Sequence, residues 1–311
     1  MRTPTKLSDP VYHDEDAARA HLEALRWPDG VSCPHCGGLD KIKVLGGKSM
    51  GPGWWYCGSC DDKFTVRVGT VYARSHIPLH KWLLGFRLMA SSKKGISAHQ
   101  LHRTLEITYK SAWFMAHRIR EAMNDADPTP MGGGGEPVEV DEAYLGSPGY
   151  VLKNKPEGSS WQMKRGHGDK MQIVTLVERG GRARSVKVDD MTSATVSAVI
   201  SRNVKPDTRL MTDESAIYNK IGRKMKSHET VQHKRKEYAR GDVTTNTVEG
   251  YFSIFKRGMK GVYQHCTDKH LQRYLYEFDF RYSNRAALGV DDGERTALAI
   301  KGAEGKRLTY R

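Results

Sequence analysis

Residues Val243–His265 read VTTNTVEGYFSIFKRGMKGVYQH, and their apolar spacing predicts a helix. Val248, Phe252, Phe255 and Met259 recur at intervals of four, three and four, the repeat of one helical face. Glu249 stands beside that stripe, and Lys256 lies seven positions on, two turns further and on nearly the same face as the glutamate. Thirty-five residues separate Glu249 from Asp213 in RLMTDESAIY, and Asp141 stands earlier still, in EPVEVDEAYLG. Alternation in that last stretch puts Val138 and Val140 on one face of a strand and Glu139 and Asp141 on the other. Two strand-end aspartates and a helix glutamate can be presented to a single point, as hard oxygen ligands for divalent cations.

Between these residues the pattern is strand, strand, strand, helix, strand. MQIVTLVE and RSVKV follow the Asp141 strand, with ERGGRA as the hairpin turn between them. SATVSAVISRNV predicts a helix with Val196, Val199 and Ile200 inward, TRLMTD a fourth strand ending at Asp213, and ETVQH a fifth. The expected α/β domain is a mixed five-stranded sheet with flanking helices. A basic, glycine-rich loop carrying Lys153, Lys155, Lys164, Arg165, His167 and Lys170 is expected after the first strand.

Upstream, DEDAARAHLEALRW predicts a short helix with acidic residues in its first turn. CPHC at 33–36 and CGSC at 57–60 are separated by twenty residues. Cys33, Cys36, Cys57 and Cys60 can close a tetrahedral zinc site with no open position, so a structural zinc ribbon is expected; His35 reads as a surface residue. GISAHQLHRTLEI and TYKSAWFMAHRIREAM predict two helices broken near Glu106 and Ile107. Ser97 and Gln100 have capping-box spacing at the first, and Ala112, Met115, Ile119 and Met123 form the inward stripe of the second. Lys110, Arg118 and Arg120 on that second helix give the pair a helix-turn-helix-like aspect with DNA-facing cations; an ordinary helical hairpin is the competing reading. The expected boundaries are an N-terminal helix at 1–30, zinc ribbon at 31–68, helical segment at 70–125, linker at 126–137, catalytic domain at 138–285 and a partly helical or disordered tail at 286–311.

Fifty Lys and Arg against 36 Asp and Glu leave a net charge of +14, which favours a polyanionic partner through counterion release. No stretch has the apolar length of a membrane span and the N-terminus lacks a secretory h-region, so a cytoplasmic protein without membrane association is expected. The fifth cysteine, Cys266, reads as a small buried hydrophobe. Asp141, Asp213 and Glu249 around two divalent ions would serve phosphoryl transfer on DNA, with Mg2+ expected and Mn2+ as the substitute. Asn246, one turn before Glu249, is the candidate extra ligand. Lys256, Arg257, Lys164 and Arg165 are candidate phosphate contacts. Taken singly, each carboxylate could equally cap a turn or helix or pair with a neighbouring cation.

The chain resembles DDE transposases of bacterial insertion sequences, in the group with an N-terminal zinc ribbon and an RNase H-like catalytic domain. The matching stretches are CPHC with CGSC, VEVDEAYLG, IVTLVERGGRARSVKV, LMTDESAIY, TNTVEGYFSIFKRGMKGVYQH and KHLQRYLYEFDFRYSNR. The resemblance implies that Asp141, Asp213 and Glu249 are the catalytic triad and that Lys256 is the lysine found after the glutamate. It further implies cleavage at the element's own ends, joining of the freed 3′-hydroxyl to target DNA, and a dimer or larger assembly on paired ends. Relatives in this group often carry a histidine two residues before the asparagine of TNxxE, where this chain has Thr244. A zinc-ribbon regulator that has lost catalysis and a stand-alone nuclease of the same fold are the competing functions.

Overall fold

The computed structural model describes residues 4, 6–47, 50–125, 129–155, 158–164 and 167–309, with residues 151–160 as backbone only. Two compact units divide it: Met1–Asp125 together with Asn284–Arg311, and Ala126–Ser283.

In the first unit, α1 (Glu15–Arg26) begins at Asp14, whose carboxylate accepts the Ala17 N–H at 2.7 Å, and ends at Trp27. An antiparallel three-stranded sheet follows: β1 (Ile42–Leu45), β2 (Trp54–Cys57) and β3 (Asp62–Phe64). Fully buried Phe64 meets Trp27 edge-on at 5.9 Å, which ties the sheet to the end of α1. Next come α2 (Leu79–Ser91), α3 (Ala98–Leu105) and α4 (Tyr109–Ala122). Ser97 and Thr108 cap α3 and α4 by accepting the N–H groups of Gln100 and Ser111, and Glu106 between them takes the left-handed conformation at φ 50°.

The expected inward stripe of α4 is buried at Ala112, Met115, Ile119 and Met123, but burial extends further round the helix. Arg118 is 8% exposed and Arg120 is 2% exposed. Arg118 Nη1 donates to the carbonyls of Val71 at 2.8 Å and Ala73 at 3.0 Å, and its guanidinium lies over the Phe114 ring. This corrects their reading as DNA contacts. A guanidinium committed to buried carbonyls could reach a phosphate only by leaving those carbonyls unmet. Lys110 is the exposed member of the three.

The segment expected as a tail is part of the same unit. It forms α9 (Asp292–Lys301), opened by a capping box between Asp291 and Glu294 and packed on α2 and α4. Ala299 and Ile300 are buried, and Ala303 O and Gly305 N bond back to Val71 N and Gly69 O.

The second unit runs β4 (Val138–Leu145), β5 (Tyr150–Lys155), β6 (Gly158–Met163), β7 (Met171–Glu178), β8 (Ala183–Val188), α5 (Ser193–Asn203), β9 (Arg209–Asp213), α6 (Asn219–Gly222), β10 (Ser227–Val231), the short β11 (Ala239–Arg240) and β12 (Val243–Thr244), then α7 (Asn246–Gly258) and α8 (Asp268–Ser283). Its main sheet has the order β10-β9-β4-β7-β8. β4, β7 and β8 form an antiparallel meander, while β9 pairs parallel to β4 and β10 parallel to β9. A meander plus two parallel strands, with helices on the faces, is the RNase H-like arrangement. Val138, Val140, Val174 and Leu176 pack with Val196 and Ile200 of α5. On the other face, Ala143, Ile173 and Val177 pack with Val248, Phe252, Phe255 and Met259 of α7 and with α8. The 3.6-residue stripe of α7 thus covers the face of the sheet opposite Val138 and Val140.

Two segments differ from the loops expected for them. The stretch after β4 folds as the hairpin β5–β6, paired from Tyr150 opposite Met163 to Lys155 opposite Gly158. The glycine-rich stretch before β4 is anchored at Met131 and Gly132, with residues 133–136 exposed. Met131 is fully buried, donating its N–H to Asn203 O at 2.8 Å and accepting from Lys205 N at 3.0 Å. Gly132, at φ +78°, lies so close to Thr208 that an added Cβ would fall 2.1 Å from its Oγ1.

A buried polar network joins both helices of that face to the sheet. Asp279 of α8 accepts from Tyr251 Oη at 2.6 Å, Ser185 Oγ at 2.8 Å and Ser185 N at 2.7 Å. Burial pushes its carboxyl up to about 6, against the pull of Tyr251 and Ser185. A folded pKa above the unfolded value favours the protonated acid in the native state. Its contribution is therefore largest below pH 4 and falls as pH rises towards 6, by about 3 kcal/mol at most. Urea unfolding of Asp279→Asn beside wild type should show the variant's stability deficit shrinking between pH 4.5 and 7.

Candidate active site

Asp141 lies in β4 and Asp213 is the last residue of β9. Val138 stands opposite Leu210 and Glu139 opposite Met211, and continuing that parallel register sets Asp141 beside Asp213. Glu249 sits in the first turn of α7, on the helix that covers the Asp141 face. The Asp141 carboxyl is pushed up to about 7, first by burial, then by Glu142, with Asp213 and Glu249 adding to the effect; one backbone N–H, that of Glu142 at 2.8 Å, opposes it. The three expected carboxylates are therefore within electrostatic reach of one another, in a half-buried setting whose surplus negative charge suits hard divalent cations. Their oxygens are not drawn together: among the described residues, the four cysteines form the one His, Cys, Asp and Glu group whose ligand atoms all lie within 4.8 Å.

Each acid near the triad has a distinct employment. Fully buried Glu139 holds α7 in place: it accepts from Thr247 N at 2.8 Å, Val248 N at 3.0 Å and Thr247 Oγ1 at 2.7 Å, at the positive end of the helix dipole. Arg179 Nη2 completes the cluster at 2.7 Å and reaches on to Asp242 O at 2.9 Å. Glu139 thus clamps the helix bearing Glu249 onto the strand bearing Asp141. Glu139→Ala leaves Arg179 without its buried carboxylate and two helix N–H groups unmet, and should lower stability by about 3–5 kcal/mol in urea unfolding. Glu142 accepts from Tyr218 Oη at 2.5 Å, and Glu214 accepts from His233 N at 2.9 Å and Lys234 N at 3.2 Å.

His233 was not singled out from the sequence. Its Nε2 lies 3.5 Å from Glu249 Oε1 and 3.3 Å from Thr245 Oγ1, which itself donates to Glu249 at 2.9 Å. An imidazole thus reaches the glutamate from the turn after β10, although position 244, next to the TNxxE stretch, holds threonine. Fifteen residues separate His233 from Glu249, so periodicity could not have linked them.

The remaining expected residues are scattered. Asn246 opens α7 with its N–H on Thr244 Oγ1 at 3.1 Å and is exposed. Lys256 is exposed on α7 with Nζ 5.5 Å from the Phe252 ring, and Arg257 Nη2 donates to Ser253 Oγ at 2.5 Å. Lys164 pairs with Asp169 at 2.5 Å, while Arg165 lies outside the described residues. Cys266 is half-buried, its thiol donating to Thr267 O at 3.4 Å.

In the ribbon, Cys33 Sγ and Cys60 Sγ are 3.6 Å apart, and Cys36 Sγ and Cys57 Sγ 3.7 Å. Four thiolates about 2.3 Å from a tetrahedral zinc would stand roughly 3.8 Å from one another, so this cluster fits a structural zinc ion. Without metal the thiols ionise unequally: although burial opposes it, the N–H groups of Ser59 and Cys60 and the neighbouring thiols bring Cys57 down to about 6, while burial and the neighbouring thiols push Cys60 up to about 12. His35 is exposed beside the cluster.

Comparison with known proteins agrees with this architecture. Residues 13–63 match the transposase zinc-ribbon domain, and residues 133–283 match the ISXO2-like transposase domain. A Halobacterium salinarum protein described as an uncharacterized protein in transposable element ISH50 is 27% identical over 279 residues, covering 87% of this chain and 92% of its own. A solved Mos1 transposase paired-end complex with left transposon end aligns over 68% of this chain and 79% of that one, at 11% identity and a TM-score of 0.22, too low to bear on the fold. The chain belongs to the ISXO2-like group of insertion-sequence DDE transposases, which join a zinc ribbon to an RNase H-like domain. No helix among the described residues is long and apolar enough to cross a membrane.

Proposed function

We propose that this protein cuts DNA at the ends of its own element and joins the freed 3′-hydroxyl to target DNA. What supports this reading is the register of Asp141 beside Asp213 on neighbouring strands and the place of Glu249 in the first turn of the helix over that face, with burial first and then Glu142, Asp213 and Glu249 raising the Asp141 carboxyl. Magnesium or manganese held by these three carboxylates would stabilise charge on the attacking and leaving oxygens. In the first step, water attacks the phosphorus at the element end and the 3′-oxygen leaves; in the second, that 3′-hydroxyl attacks a target phosphodiester, whose own 3′-oxygen leaves. Glu139 and Arg179 clamp the start of α7, which bears Glu249, onto β4, which bears Asp141, and this limits the reorganisation that the reaction would otherwise need. Asn246 is the reserve ligand. Exposed Lys256, Arg257 and Lys110 and half-buried Lys164 are the candidate phosphate contacts, and DNA and a second copy of the chain on paired ends are the partners.

The test is strand transfer in vitro with purified protein, labelled ends from the flanking inverted repeats, a plasmid target and magnesium. Joined product dependent on the repeat sequence is expected. Cleavage without joining would support a nuclease of the same fold, and end binding without cleavage in either cation would support a regulator.

A further inference from the structure

Lys234, Arg235 and Lys236 stand on a turn that is pinned to both sides of the carboxylate site. Towards Asp213, the turn is held by the carboxylate of the adjoining Glu214, which accepts the N–H groups of His233 and Lys234. Towards α7, it is held by His233 Nε2, which is 3.3 Å from Thr245 Oγ1 and 3.5 Å from Glu249. The turn itself is closed by Arg235 N to Gln232 O and Lys236 N to His233 O, both at 2.9 Å, with Lys236 in the left-handed conformation at φ 60°. All three cations are exposed and, among the described residues, none has a carboxylate partner. Their neighbours are paired: Arg209 with Glu229 and Asp242, Arg179 with Glu139, and Arg240 with Glu237. A rigid turn carrying three unpaired cations beside three acids is spent charge unless an external anion neutralises it. Tyr238, 58% exposed two residues on, adds an aromatic face to the same loop.

We infer that the turn His233–Lys236 seats the DNA strand next to the scissile phosphate, with Lys234, Arg235 and Lys236 neutralising consecutive phosphates. This rests on the transposase reading above and assigns it a DNA-binding element. Backbone anchoring through Glu214 lets the turn register the strand against Asp213, while His233 does so against Glu249. The turn positions substrate and takes no part in bond making.

The test measures binding of the full-length protein to duplex DNA carrying an element end as salt is raised, using Lys234→Gln/Arg235→Gln/Lys236→Asn; asparagine tolerates the left-handed backbone of position 236. Each phosphate contact contributes about one unit to the slope of log affinity against log salt, so the variant's slope should be shallower by roughly three. In cleavage assays KM for DNA should rise with kcat little changed. A control, Arg202→Gln/Lys205→Gln/Lys226→Gln, removes three exposed charges in the last turn of α5 and ahead of β9 and β10, the opposite end of those strands from Asp213, and should keep more of the wild-type slope. An unchanged slope in the turn variant overturns the inference, whether or not the protein cuts DNA. Absence of cleavage and joining by wild type instead removes the transposase reading, and the salt slope still decides the binding role. Should the triple variant fold poorly, Lys234→Gln and Arg235→Gln singly should each flatten the slope by about one, and no change in either is the overturning result.

Discussion

Asp141→Ala is expected to lower end cleavage and strand joining by about a thousandfold or more, while the protein stays folded. Several kcal/mol of transition-state stabilisation rest on the cations that this carboxylate would share, and each 1.36 kcal/mol is about tenfold in rate. Stability should move the other way. In the native state the Asp141 carboxyl is pushed up to about 7 by burial and by its acidic neighbours. Its ionised form is then disfavoured by folding, a penalty absent below pH 4 and fully present above pH 7. Removing the group should leave Tm at pH 8 equal to or above that of cation-free wild type, as is common where an active site stores like charge. Thermal melts beside gel assays of joining check both halves. Joining within tenfold of wild type would sink the assignment of Asp141, and joining that survived Glu249→Ala would move the third ligand to Asn246.

The second large effect is in the ribbon. Cys57→Ser, or exhaustive chelation of the wild type, should release one zinc per chain and unfold residues 31–68, because structural zinc sites of this kind contribute about 10 kcal/mol or more of folding free energy. β1, β2 and β3 have four, four and three residues, too little surface for a stable sheet by itself. Metal analysis and hydrogen exchange together make the check: exchange should become fast across the ribbon while β4 and β7 keep their protection. A ribbon still protected after the metal is gone would show that Phe64, Trp27 and Trp55 suffice to hold it.

Local pattern carried much of the architecture. Val138 and Val140 reappear on the face of β4 packed by α5, and the stripe Val248, Phe252, Phe255 and Met259 reappears as the α7 surface packed on the opposite face. The CxxC pairs reappear as a cluster with zinc-like spacing. Lysines and glycines concealed the β5–β6 hairpin, since its pairing runs between strands and not along one.

By itself the sequence determined where the five strands of the main sheet and most of the helices lie, which of their faces are apolar, and which acids and thiols could be brought near one another, because periodicity and turn chemistry are local. Only the tertiary structure decided what each polar group does. Glu139 and Asp141 share a strand face two residues apart, yet one is buried under the start of α7 and the other stays half-open beside Asp213. Arg118 and Arg120 look like surface cations in a helix sequence, and became interior ones because the chain packs partners all round α4. His233 comes to Glu249 through a turn anchored by Glu214. Burial and long-range hydrogen bonding depend on which distant segments return to a residue, and no spacing along the chain encodes that.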